Sequence, residues 1–125
     1  MPKFQGVYPI SCEDLAALPV TAIGTAVGFY TSVLGFSVVA QDDDTATVAR
    51  DDARLGLVRT PGHRPGEAGS CAILVADLDA MYRELTGRGL DVGAIHYQEW
   101  GGKLFRVFFL REAENGYCYC FHHPA

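Results

Sequence analysis

Apolar side chains at Ile23, Ala26, Val27, Tyr30, Val33 and Leu34 recur at the three- and four-residue intervals that line one side of a helix. Gly35 stands just past the last of them, where helices commonly end on a left-handed residue. Ahead of this helix the stretch from Leu18 opens with a short strand. Behind it Phe36 to Ala40 is apolar and β-branched enough for another. The stretch Leu18 to Val39 therefore predicts strand, helix and the start of a second strand.

The same block returns later in the chain. Cys71 to Leu90, CAILVADLDAMYRELTGRGL, repeats it at a constant offset of 55 positions: Val20 with Val75, Ala22 with Asp77, Ile23 with Leu78, Ala26 with Met81, Val27 with Tyr82, Tyr30 with Leu85. Gly35 answers to Gly89 with one residue dropped. Asp77 is expected to cap the second helix through its carboxylate, a task that falls to Thr21 in the first copy.

Each helix is followed by further strand patterns. In the first half these are Thr45 to Ala49 and Arg54 to Arg59, set off by Asp42-Asp43-Asp44 and Asp51-Asp52, which read as solvated turns. In the second half they are Val92 to Tyr97, Leu104 to Leu110 and Tyr117 to Phe121. Between the halves, Thr60 to Gly69 holds two prolines and three glycines, which neither a helix nor a central strand tolerates. Phe4 to Ile10 is extended, broken by Pro9 and followed by Cys12-Glu13-Asp14; it is either an added edge strand or the true first strand of the fold.

The expected fold is α+β, a single domain over 1–125: an N-terminal extension or edge strand (1–14), a first βαβββ half (15–59), a linker (60–69) and a second βαβββ half (70–123). Two such halves pair into a curved mixed sheet that encloses a cavity, with helices outside.

Composition narrows the partners. With 125 residues and 49% hydrophobic content, the chain is sized for one core. A net charge of −5 lacks the clustered Lys and Arg that nucleic acid demands and favours a neutral or cationic ligand. No apolar run of membrane-spanning length and no secretory leader is present, so the expectation is a cytoplasmic protein without membrane contact. The four cysteines, Cys12, Cys71, Cys118 and Cys120, are too scattered for a disulfide framework and are expected to be reduced.

Three segments resemble the vicinal oxygen chelate superfamily, which includes glyoxalase I, extradiol dioxygenases and the bleomycin resistance proteins: FYTSVLGF (Phe29 to Phe36), VADLDAMYREL (Val75 to Leu85) and WGGKLFRVFFLREAENGYCYCF (Trp100 to Phe121). The last departs from the usual DPDGN-like turn, which here is Glu112-Ala113-Glu114-Asn115-Gly116. In enzymes of that superfamily, strand positions facing the cavity supply His or Glu to a divalent metal. The resemblance puts those positions at Leu15, Gly56, Ser70 and Tyr119. If Asp14 rather than Ala22 marks the end of the first strand, Val7 replaces Leu15. A one-residue slip on the last strand would put Cys118 or Cys120 in place of Tyr119. None of these sets makes a divalent metal site, so no cofactor and no catalytic residue is expected.

What remains is a cavity whose expected lining is Trp100, Gly101, Tyr119, Arg54, Ser70 and Phe105, with Tyr97 and His96 at its mouth. Phe105 and Tyr119 read equally well as core. Trp100, ahead of Gly101-Gly102, is expected on a loop over the opening, and Trp100-Gly101 matches a Trp-Gly pair that borders the drug groove in bleomycin-resistance-like proteins. The resemblance thus implies a metal-free protein that binds a small aromatic or cationic molecule, such as an antibiotic, and is commonly dimeric. The alternatives are a metal-dependent lyase, isomerase or dioxygenase of the same superfamily, and a non-catalytic scaffold or regulatory module.

Overall fold

The computed structural model describes residues 2–12 and 14–125, so Glu13 of the Cys12-Glu13-Asp14 segment lies outside the described residues. In chain order the elements are β1 (Phe4–Pro9), β2 (Leu18–Val20), α1 (Ile23–Ser32), β3 (Ser37–Gln41), β4 (Thr45–Arg50), β5 (Ala53–Arg59), a 3-10 turn (Pro65–Glu67), β6 (Ser70–Val75), α2 (Leu78–Gly87), β7 (His96–Trp100), β8 (Lys103–Arg111) and β9 (Cys118–Pro124). Both helices begin and end at the same 55-residue offset. The strands are arranged alike as well: one sheet runs β2-β5-β4-β3, the other β6-β9-β8-β7 with β1 added beside β6. In each half the strand before the helix pairs in parallel with the last strand. The fold is α+β with two mixed sheets that do not close on each other, so any cavity is an open groove.

The ambiguous N-terminal piece is an edge strand. β1 runs antiparallel to β6, with Phe4 opposite Val75 and Pro9 opposite Cys71. It thus precedes the first half in sequence yet extends the sheet of the second. The strand leading into α1 is β2, which makes Ala22 and not Asp14 its end.

One face of each sheet joins both helices in a single core. Leu18, Val20, Ile23, Tyr30, Leu55, Leu57, Ile73, Val75, Met81, Leu85, Phe108 and Phe121 are buried in it. Paired positions of the repeat are buried together, Val20 with Val75 and Tyr30 with Leu85, all with no exposed surface. Burying a side chain of this size is worth roughly 1.5–3 kcal/mol, which explains why the apolar period survives in both copies.

The helix ends differ from expectation at one place. Asp77 accepts a hydrogen bond from the Ala80 amide at 3.0 Å and caps α2. Thr21 does not do the same for α1: its N-cap is Ala22, with no side-chain cap, and the Thr21 amide instead donates to Asn115 Oδ1 at 3.1 Å. The first helix start is tied to the late turn of the other half. Asp77→Ala should therefore lower stability by about 1 kcal/mol in urea titrations, whereas Thr21→Ala, which keeps the amide, should leave it unchanged.

At the C-termini, Gly35 and Gly89 adopt positive φ, 73° and 79°. The Phe36 amide returns to the Tyr30 carbonyl at 2.9 Å, and Leu90 to Leu85 at 3.2 Å, the closure expected of left-handed helix stops. A side chain at Gly35 would also meet the Arg50 guanidinium, 2.7 Å from an added Cβ.

Two strands depart from their expected bounds. β7 starts at His96, not Val92, and Trp100 is its last residue rather than part of a covering loop. Gly101 and Gly102, with φ of 58° and 78°, form a two-residue hairpin that pairs Trp100 with Lys103. Positive φ at both central positions gives the turn that matches strand twist, so the glycines extend the strand past the tryptophan. β9 likewise runs on through His122 and His123.

Candidate functional site

The free face of the five-stranded sheet carries the site. Strand pairing sets its rows: Tyr8 lies opposite Ala72, Ala72 opposite Cys120, and Cys120 opposite Phe109, while His122 pairs with Val107 and Val107 with His96. Side chains alternate along each strand, so these residues share the face turned away from the helices. This face holds a groove of about 390 Å³ bordered by Tyr8, Pro9, Ile10, Ser70, Ala72, Gln98, Trp100, Phe109 and His122. That volume lies within the range of small-molecule sites.

At one end three rings pack on one another. Trp100 lies 5.0 Å from Phe105 and 5.3 Å from His122, and Phe105 lies 5.6 Å from His122. The indole is held in place along its own strand: Trp100 Nε1 donates to Gln98 Oε1 at 3.0 Å. Gln98 Nε2 then donates to His96 Nε2 at 3.1 Å, which leaves His96 Nδ1 to donate to the Ala94 carbonyl at 3.0 Å. His96 also stacks on Phe109, with centroids 5.7 Å apart. Neighbouring β7 side chains thus fix the face the tryptophan shows to the groove.

His122 is the most deeply buried polar side chain of this wall. It is 6% exposed, and its Nδ1 has no hydrogen-bond partner among the described residues. Burial lowers its pKa, so the ring is neutral at pH 7. An orphaned buried nitrogen is costly to the fold. His123, next in sequence, faces the other way and meets the Val75 carbonyl through Nδ1 at 2.7 Å.

The sequence model of the Glyoxalase/Bleomycin resistance protein/Dioxygenase superfamily matches residues 14–115. The chain belongs to this superfamily. Among solved structures it is similar to a bleomycin-binding protein complexed with bleomycin (TM-score 0.76, 23% identity, 92% of this chain and 100% of that one). It is similar too to the bleomycin-binding protein of bleomycin-producing Streptomyces verticillus, complexed with copper(II)-bleomycin (TM-score 0.66, 28% identity, 90% and 95%). An antibiotic binding protein from Streptomyces sp. CB03234 also shares the fold (TM-score 0.65, 22% identity, 93% and 99%). None of the curated proteins matches the chain in sequence.

The superfamily's metal positions can be tested against this geometry. Gly56 lies where the chain passes close: an added Cβ would sit 1.9 Å from the Ala16 carbonyl oxygen. Leu15 offers its carbonyl to the Gly56 amide at 2.9 Å. Tyr119 is not in the groove. It pairs with Cys71 and Leu110, is fully buried on the helix side, and hydrogen-bonds the Tyr30 hydroxyl. Ser70 alone of the four lines the groove.

The β9 residues on the groove face are Cys118, Cys120 and His122. Burial pushes the Cys120 thiol up to about 12 and raises that of Cys118, so both stay protonated and are poor metal donors. Among the described residues, no group of three or more His, Cys, Asp or Glu side chains is arranged to hold a metal ion. The residues present do not fit the superfamily's divalent metal.

Of the expected lining, the structure brings together Trp100, Phe105, Ser70 and His96, with Gly101 in the hairpin turn beside them. Arg54 lies on β5, opposite Ala49 in the other sheet, and does not reach this groove. Tyr97 is on the same strand as Trp100 but on its opposite face, 64% exposed. Gln98, Phe109, Tyr8 and His122 were not singled out as lining. Among the described residues, no helix is long and apolar enough to cross a membrane.

Proposed function

We propose that this chain is a metal-free binding protein that sequesters a planar, partly aromatic small molecule of the antibiotic type without altering it. The observation that carries this reading is the ring cluster of Trp100, Phe105 and His122 along an apolar groove with one unpartnered buried nitrogen. Rigid aromatic faces bind flat ligand groups at low entropic cost, and a few polar groups set orientation. The bleomycin complex of a protein with this fold and the antibiotic-binding neighbour support the ligand class.

In one chain the groove has a single wall. Arg54, exposed on the face of the β2-β5-β4-β3 sheet opposite the core, is suited to supply the other from a second copy. On this reading the protein works as a homodimer, and Arg54 enters the groove from the partner.

Trp100 is the chain's one tryptophan, so its emission reports directly on this site. Titration with bleomycin and other aromatic antibiotics should quench or shift it at micromolar concentrations, and metal analysis of untagged protein should find no stoichiometric Zn, Ni, Mn or Fe. Unchanged emission at high micromolar ligand would remove the antibiotic reading. A stoichiometric metal would favour an enzyme instead.

A further inference from the structure

The Cys12 and Cys71 sulfur atoms lie 3.1 Å apart, although 59 positions separate them in sequence. Cys71 is on β6, fully buried on the core face; Cys12 follows β1 and is half-buried. The backbone between them is already fixed: Ile10 and Ser11 both donate to the Ser70 carbonyl, at 3.0 and 3.1 Å, and Ser11 Oγ accepts from the Ser70 amide at 2.8 Å. Bringing the sulfurs to a bond of about 2.05 Å needs only about 1 Å of further approach, within the reach of side-chain rotation. Cys12 also lines an open cavity of about 350 Å³, with His63, Glu67 and Tyr117 on its walls, which admits a small reagent to this sulfur and not to Cys71.

We infer that Cys12 and Cys71 are a site of reversible oxidation, joined into a disulfide by exchange with a small-molecule disulfide. The Cys12 thiolate attacks one sulfur of the reagent, the reagent's S–S bond breaks, and one small thiolate leaves. Cys71, which burial keeps protonated, passes its proton to the departing sulfur as it attacks Cys12 Sγ, the mixed disulfide breaks, and the second small thiol leaves. The two cysteine protons end on the two released thiols, so the protein dithiol is oxidised and the reagent reduced. The bond ties the end of β1 covalently to β6. Because Tyr8, Pro9 and Ile10 form one side of the groove and Ser70 and Ala72 its floor, the bond pins that side in place. This inference stands on the sulfur pair and is independent of what the groove binds.

The folded protein is treated with excess oxidised glutathione, then unfolded and its free thiols counted. The count should fall from the four cysteines of the chain to two, with non-reducing peptide mapping linking Cys12 to Cys71 and dithiothreitol restoring all four. Cys118→Ser/Cys120→Ser should still form the bond, and Cys12→Ser should not lose a pair of thiols. The inference is overturned by a stable glutathione adduct on Cys12 with Cys71 free, by a Cys118–Cys120 link in its place, by a disulfide-linked dimer, or by four unreacted thiols.

Discussion

Replacing Glu84 with alanine is expected to cost about 3 kcal/mol of folding stability, measured as a lower urea midpoint. The reason is the cation it serves. Arg50 ends β4 with its side chain 6% exposed, and both terminal guanidinium nitrogens donate to Glu84, at 2.9 and 3.1 Å. The remaining partners are the Leu34 and Pro2 carbonyls, at 2.8 and 3.0 Å, and the Phe4 ring, whose centroid is 4.1 Å away. Without the carboxylate the charge stays buried among neutral acceptors. The pair also joins the two halves, since Arg50 belongs to the first and Glu84, on α2, to the second. Arg50→Met/Glu84→Leu, which removes both charges and keeps the volume, should recover most of the loss. If the single and double variants are equally destabilised, the effect is packing and not charge.

The pH dependence has a defined sign. Burial alone would raise the Glu84 pKa, but the hydrogen bond and charge of Arg50, then those of Arg88, outweigh it and hold the carboxyl below the ordinary range. A carboxyl with a depressed folded-state pKa stabilises fully above its unfolded value, about 4.3, and loses that contribution as pH falls through the folded value. The gap between wild type and Glu84→Ala should thus be constant from pH 7 to about 5 and narrow below. Glu112, whose pKa burial raises, acts in the opposite direction but is present in both proteins and cancels in the difference.

The helices, their left-handed stops and the repeat were legible because a helix writes its buried face into its own sequence at a fixed period. Faces of strands were not, and β9 shows why. Cys118, Tyr119, Cys120 and Phe121 are apolar on both sides, so alternation carries no sign. Tyr119 belongs to the core only because Cys71 and Leu110 lie opposite it. The superfamily resemblance instead put it at a cavity-facing metal position, and His122 received no role. Arg54 lies outside the groove of its own chain for a related reason: strand pattern identifies an inward or outward face but not which of two sheets a face belongs to. Trp100 was recognised, yet on a loop, because Gly-Gly reads as a breaker until a paired partner, Lys103, turns it into a hairpin. The absence of metal donors at Gly56 has a steric side that no motif shows, the Ala16 carbonyl lying over it.

Trp100→Ala should weaken ligand binding by roughly tenfold to a hundredfold, about 1.4–3 kcal/mol, read by calorimetry because the variant has no tryptophan. The indole is half-buried against Phe105 and His122 and held by Gln98, so its face is oriented before any ligand arrives. Little conformational entropy is then lost on binding, and truncation removes both the stacking area and the wall that keeps water from His122. Tyr97→Ala is the matched control: one strand, three residues away, a more exposed aromatic, but on the other face. It should leave affinity unchanged. Gln98→Leu separates orientation from contact, because it keeps the bulk and frees the indole, and its loss should be smaller than that of Trp100→Ala. Equal losses at Trp100 and Tyr97 would mean that ligand contacts the strand's edge and not the groove, and the ring cluster would lose its assigned role.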